Sequence, residues 1–304
     1  MQIECKENYE IKKHTTFKVG GKIKRVFFPK SQQELVFLLQ NLKDYILLGN
    51  CSNVLVSSNG YNGNLILTTQ IKNYEINGNR VIADCGIKGP FLSQKVAEKC
   101  LSGFEFMIGF PGTIGGEIYM NASCHGQCIS DNLIHCCLFD KKRKEIIYKN
   151  KSEMKFSYRK SILQEESYIL LGAEFELKKT NKKDIQDLIT RNLQFRKEIQ
   201  PSLAYPNAGS VFKNPENDSA GRLLDKAGVK IFETDFVKVW DKHANFIVNK
   251  GQATSEDILN LMLQMFTIVE ENYRIKLQPE IIFIGDKTKK EEEICKILYQ
   301  KNLK

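Results

Sequence analysis

The chain has 304 residues, 42% of them hydrophobic and 27% charged, a length that suggests about two domains and a composition that excludes a disordered or fibrous protein. Lysine and arginine number 45 against 36 acidic residues, giving a net charge of +9. The densest basic runs, at 141–144 and 178–184, fall between strand-like segments and read as solvated turns. Charge alone therefore selects neither nucleic acid nor an anionic metabolite as partner.

In chain order, RVFFP, YILLG, NVLVS, NLILTT and VIADCG read as short buried strands. Between the first two, Ser31 followed by Glu34 and by apolar residues at 35, 38, 39 and 42 predicts a helix over 31–43. Residues 89–101 repeat the helical period and lead into GFPGTIGG at 109–116. The runs LIHCCLFD, KEIIYKN and SYILLGAEFELK then predict antiparallel sheet. Residues 181–199 have a helical period that QPSLAYPNAG breaks, which marks a domain boundary near 200. Beyond it, AGRLLDKAG predicts a helix stopped by Gly228, and 255–274 a long helix capped by Ser255. The strands NFIVN and EIIFIG complete a small α+β unit, and the tail after Gly285 predicts a last surface helix.

Nine cysteines without a CxxC pair fit neither a disulfide framework nor a zinc ribbon, and Cys124, His125, Cys128 and His135 match no zinc spacing. No metal is expected. The first ten residues lack an apolar signal core, and no apolar run is long enough to span a bilayer. The expectation is a cytoplasmic protein without membrane or nucleic-acid partners.

Two glycine-bearing segments, LGNCSNV at 48–54 and GFPGTIGG, invite a ligand. Exposed backbone N–H groups in such turns favour anions such as pyrophosphate, yet either segment taken alone reads first as an ordinary hairpin turn. Neither matches a dinucleotide fingerprint or a P-loop.

The ordered segments HTTFKVGG (14–21), LGNCSNVLV (48–56), GFEFMIGFPGTIGG (103–116), MNAS (120–123), FSYRKS (156–161), NAGSVFKNP (207–215), AGRLLDKAG (220–228), KHANFIVNKGQAT (242–254) and LQPEI (277–281) span nearly the whole chain. Together they resemble the UDP-N-acetylenolpyruvoylglucosamine reductase family, in its shorter subclass. The resemblance implies an α+β fold: a vanillyl-alcohol-oxidase-type FAD-binding domain of two α+β subdomains, residues 1–75 and 76–198, and a small substrate domain, 199–304. For the last residues two readings stay open, packing back on the first subdomain or fraying.

The resemblance also implies bound FAD, NADPH as co-substrate, a UDP-sugar substrate and a monomer. Gly49, Ser52, Asn53, Gly112, Thr113, Gly115, Gly116, Asn121 and Ala122 would hold the cofactor. Arg159 would stabilise the carboxylate as charge builds on it, Glu280 would assist as a protonated donor, and Ser210 would give a proton to C2 of the enolpyruvyl group. Tyr158 and Asn214 would touch substrate, while His243 reads as structural. The chain departs from the family at Cys51, at Glu117, at Ser123 to His125 and before His243. A carboxylate at 117 is expected to repel flavin phosphates unless it points away. The alternative is an FAD-dependent oxidoreductase paralogue of the same fold acting on a different substrate.

Overall fold

A computed structural model of the chain describes residues 2–165, 167–202 and 204–300. It divides into two compact units: Met1–Lys6, Val26–Asn50 and Asn64–Arg196 form the first, and Glu7–Arg25, Cys51–Gly63 and Lys197–Lys304 the second. The functional domains implied above are a division by ligand, whereas this one is a division by packing.

The first unit is built on a five-stranded antiparallel sheet in the spatial order Glu145–Asn150, Leu133–Asp140, Tyr168–Glu176, Arg80–Asp84, Tyr74–Asn77. The basic run 141–144 is the hairpin turn expected of it, closed by Lys144 N–H donating to the Asp140 carbonyl at 2.8 Å. Four helices belong to this half of the chain: α1 (Gln32–Asn41), α2 (Gly89–Glu98), α3 (Ile114–Tyr119) and α4 (Lys182–Ile199). At the start of α1 the Ser31 hydroxyl accepts from Glu34 N–H at 3.1 Å, and the Glu34 carboxylate accepts from Lys30 N–H at 2.7 Å. The capping residues read from the sequence thus satisfy donors that a helix N-terminus leaves unpaired. Leu35, Leu38, Leu39, Leu92, Val96, Ile114 and Ile118 bury the inner faces of α1, α2 and α3 with the sheet residues Val81, Ala83, Leu171 and Phe175.

In the second unit, α5 (Ala220–Lys226), α6 (Ser255–Tyr273) and α7 (Lys289–Leu298) share a core with Val211, Phe212, Val237, Val239 and Ile247. Gly228 ends α5 in the left-handed region, φ 77°, a conformation that favours glycine. The expected cap of α6 is corrected by one residue. Thr254 accepts from Asp257 N–H, and the Asp257 carboxylate accepts from Thr254 N–H. The Ser255 hydroxyl is engaged elsewhere, with the buried Glu291 carboxylate of α7. The tail helix is half core, since Ile294, Cys295 and Leu298 are buried against α6.

The segment LGNCSNV is not a hairpin. Ile46–Leu48 before it pairs in parallel with Leu65–Leu67, as the edge strand of a four-stranded sheet. Val54–Val56 after it pairs in parallel with Ile282–Ile284. All nine cysteines are free. Among the described residues no group of His, Cys, Asp and Glu is arranged to hold a metal, and no helix is long and apolar enough to cross a membrane.

Candidate active site

In the first unit, the loop 109–116 opens α3, a helix that periodicity alone does not reveal because glycines occupy two of its first three positions. Thr113 is its N-cap, with Oγ1 accepting from Gly116 N–H at 3.4 Å. Gly49 lies against that side chain, so that a Cβ on Gly49 would overlap Thr113 Oγ1. Gly115 N–H donates to the Cys85 carbonyl at 2.8 Å, and a Cβ there would stand 3.0 Å from the same oxygen. Gly112 and Gly89 both lie against the Glu117 carboxyl. Three of the four cofactor-assigned glycines therefore make room for the protein's own atoms. Gly116 differs, since a Cβ there would meet only Thr113 Oγ1, at 3.7 Å.

Glu117 itself is 3% exposed, and neither carboxyl oxygen has a hydrogen-bond partner. Burial away from water disfavours the charged form and pushes its pKa up from 4.5 to about 8. At neutral pH the acid form is favoured, which removes the charge on which the expected phosphate repulsion rests. Cys51 is likewise neutral, its thiol buried and pushed up to about 12. Its φ of 50° lies in the left-handed region that a glycine would adopt without cost.

The substrate-assigned side of this unit is the turn 157–160, closed by backbone bonds between Ser157 and Lys160 in both directions. Arg159 sits in it at φ 54°, donating from Nη1 to Ser123 Oγ at 3.0 Å, with its guanidinium 5.2 Å from the Tyr158 ring centroid. Asn121, also left-handed at φ 42°, donates from Nδ2 to the Ser157 carbonyl at 3.1 Å and ties the end of α3 to this turn. Ala122 N–H returns to the Glu117 carbonyl at 2.8 Å.

In the second unit the structure brings Ser210 and Glu280 onto adjacent segments: Glu280 N–H donates to the Val211 carbonyl at 2.8 Å, and Phe212 bridges Pro279. Asn53 Nδ2 donates to the Glu280 carbonyl at 3.1 Å, and the Asn53 carbonyl accepts from Ile282 N–H at 3.0 Å. Ser210 follows Gly209, whose φ is 78° and whose N–H is held by Asn207 Oδ1. Asn214 accepts from Ala220 N–H at 3.0 Å, at the start of α5. Ser52 lies two residues into this unit.

Asn245 is a residue that the sequence reading passed over. Fully engaged in the core, it accepts from Phe212 N–H at 2.9 Å and donates to the Phe212 carbonyl at 2.8 Å, while its own carbonyl takes Val211 N–H. The backbone of the two residues that follow Ser210 is thereby fixed. The signal was a polar residue inside the strand-like run HANFIVN, read there as part of a motif. His243 holds Asn245 N–H on Nδ1 at 3.2 Å, and burial lowers its pKa, so it is a neutral structural acceptor as expected.

Matches to known families place this α+β chain, with its glycine-opened helix, in a flavin-dependent oxidoreductase class. Residues 23–141 match the family described as FAD binding domain, and residues 200–284 match the UDP-N-acetylenolpyruvoylglucosamine reductase C-terminal domain. The chain is 42% identical to the UDP-N-acetylenolpyruvoylglucosamine reductase of Caldicellulosiruptor bescii, over 93% of this chain and 92% of the relative. It is 38% identical to that of Caldanaerobacter subterraneus, over 92% and 93%. The crystal structure of UDP-N-acetylenolpyruvylglucosamine reductase from Thermus caldophilus superposes with a TM-score of 0.80 at 31% identity, covering 93% of this chain and 99% of that one. The chain belongs to the UDP-N-acetylenolpyruvoylglucosamine reductase family.

The residues present fit FAD. The Gly116 backbone is open, and Glu117, the acid that follows it, carries no charge to oppose the cofactor's phosphates.

Proposed function

We propose that this protein reduces UDP-N-acetylenolpyruvoylglucosamine to UDP-N-acetylmuramate, with FAD bound and NADPH as the electron source, as a cytoplasmic monomer serving peptidoglycan precursor synthesis. The carrying observation is the pairing of Ser210 and Glu280 on hydrogen-bonded segments in a chain 42% identical to a named reductase along nearly its whole length. Nine free thiols fit a reducing compartment. On this reading bound FAD, held by Gly49, Ser52, Asn53, Gly112, Thr113, Gly115, Gly116, Asn121 and Ala122, supplies the two-electron reduction at C3 of the enolpyruvyl group.

The chain's own residues do the rest. Arg159, permanently charged and oriented by Ser123 Oγ, offers a planar fork to the substrate carboxylate as negative charge spreads onto it. Glu280, fixed at its backbone N–H and carbonyl by Val211 and Asn53, lies on the segment hydrogen-bonded to that of Ser210, and in its protonated form would donate to the same developing charge. Ser210 delivers the proton to C2, a task for a weak acid only against a strongly basic carbon and in a site that excludes water. Asn214 and Tyr158 are assigned to substrate contacts.

Anaerobic absorbance tests the assignment. The flavin bands of the purified protein should bleach with NADPH and recover when UDP-N-acetylenolpyruvoylglucosamine is added. Bleaching without recovery would favour the paralogue acting on another substrate. With Ser210→Ala, bleaching should survive while recovery slows by orders of magnitude; equal slowing of both half-reactions would remove Ser210 from the proton-donor role.

A further inference from the structure

Arg159 occupies a backbone position that its residue type resists. It is the third residue of the turn from Ser157 to Lys160, with φ at 54°, where a left-handed turn position ordinarily takes glycine or asparagine. A larger residue stays in this region only where its surroundings over-determine it. Side chains of the first unit do so here. Asn121 Nδ2 donates to the Ser157 carbonyl, and Ser161 Oγ donates to the Tyr119 carbonyl at 2.9 Å. Gln164 Nε2 donates to the Tyr119 carbonyl at 3.0 Å and to the Arg159 carbonyl at 2.9 Å. Both acceptors are carbonyl oxygens, so the amide presents its nitrogen, whose two N–H groups match them one for one. Tyr119 is the last residue of α3, and the last carbonyls of a helix have no partner within it. One carboxamide thus joins the end of α3 to the main chain of the arginine.

We propose that Gln164 is a positioning residue for reduction of the substrate. By tying the Arg159 carbonyl to the end of α3, it holds the left-handed turn from which the guanidinium meets Ser123 Oγ. The direction of the charged fork toward the substrate carboxylate is set in this way before the reaction begins. Charge fixed in advance stabilises a developing anion most, because nothing has to reorient as the anion forms. Gln164 acts through Arg159, and the inference rests on Arg159 receiving the substrate carboxylate.

The test uses the full-length, FAD-loaded protein and follows both half-reactions by anaerobic stopped-flow absorbance. Gln164→Met keeps the length of the side chain without a donor. Gln164→Glu keeps its shape, and the ionised carboxylate has no N–H for the two carbonyls. Either change should slow flavin recovery by UDP-N-acetylenolpyruvoylglucosamine roughly tenfold or more, the scale of losing one hydrogen bond to a charged group. Bleaching by NADPH should stay at the parent rate. An Arg159→Met background separates positioning from packing: there Gln164→Met should add almost nothing to the loss in recovery, since both act through one guanidinium. Recovery at the parent rate in both Gln164 variants, equal slowing of the two half-reactions, or a fully additive loss in the Arg159→Met background overturns the proposal. Arg159→Met recovering as fast as the parent would instead overturn the assignment of Arg159 beneath it.

Discussion

The side-chain amide of Asn53 donates to the main-chain carbonyl of Glu280 at 3.1 Å, joining residues 227 positions apart. A turn assigned to the flavin therefore also fixes the backbone of a catalytic candidate. Asn53→Ala should cost about 1 kcal/mol of stability, the usual net worth of one such bond. It should also slow flavin recovery by substrate more than bleaching by NADPH. Stopped-flow absorbance on both half-reactions checks this, and a variant defective only in FAD retention would show that the bond to Glu280 is incidental.

Gly49 and Thr113 form a second coupled pair. Gly49→Ala places a Cβ on Thr113 Oγ1, so the threonine must rotate and give up its cap on Gly116 N–H. Loss of an N-cap costs about 1 kcal/mol, and the displaced loop should weaken FAD binding. In a Thr113→Ala background the clash with Oγ1 is gone, and the Gly49→Ala penalty should shrink. A double-mutant cycle read by chemical denaturation would show this as non-additivity, whereas additive penalties would mean that the two residues do not communicate.

The Glu117 acid makes the apoprotein's stability depend on pH in a defined direction. Folded Glu117 keeps its proton up to about pH 8, while the unfolded chain releases it near 4.5. Between those values unfolding frees a proton, so stability falls as pH rises through the window and levels off above it, by about 1.4 kcal/mol per pH unit at most. Glu117→Gln lacks the group. Its melting advantage over the parent should widen between pH 5 and 8, and an advantage independent of pH would mean that Glu117 is already ionised when folded.

The tail helix is fastened by a buried carboxylate. Glu291, 0% exposed, accepts from Ser57 Oγ at 2.8 Å and from Thr288 N–H at 2.9 Å, and it pairs with Ser255 Oγ. Glu291→Ala strands these donors and should cost roughly 3 kcal/mol or more. Limited proteolysis should then cut first within α7. Unchanged proteolysis and melting would show that Ile294, Cys295 and Leu298 hold the helix without the network.

Local physics was legible where one residue's neighbours in sequence are its neighbours in space. Ser31 and Glu34 announced α1 because a cap acts within one turn, and the runs around 141–144 announced a hairpin because its strands are adjacent in the chain. The order of motifs carried the family. The helix α3 was hidden because its first turn holds two glycines, whose low propensity is overcome by the Thr113 cap and by burial of Ile114 and Ile118. The cap of α6 was displaced by one residue because Ser255 is taken by Glu291, a partner 36 positions away.

By itself the sequence determined the α+β class, the positions of most elements and the family whose motifs it carries, since these depend on short-range patterning. Only the tertiary structure decided that the strands flanking LGNCSNV go to separate sheets and that Gly49, Gly112 and Gly115 are bare for the protein's own atoms. It also decided that Glu117 is an acid rather than a carboxylate. Residue type fixes a side chain's ordinary pKa, but the water that would keep it there is removed by neighbours that the chain brings together only on folding.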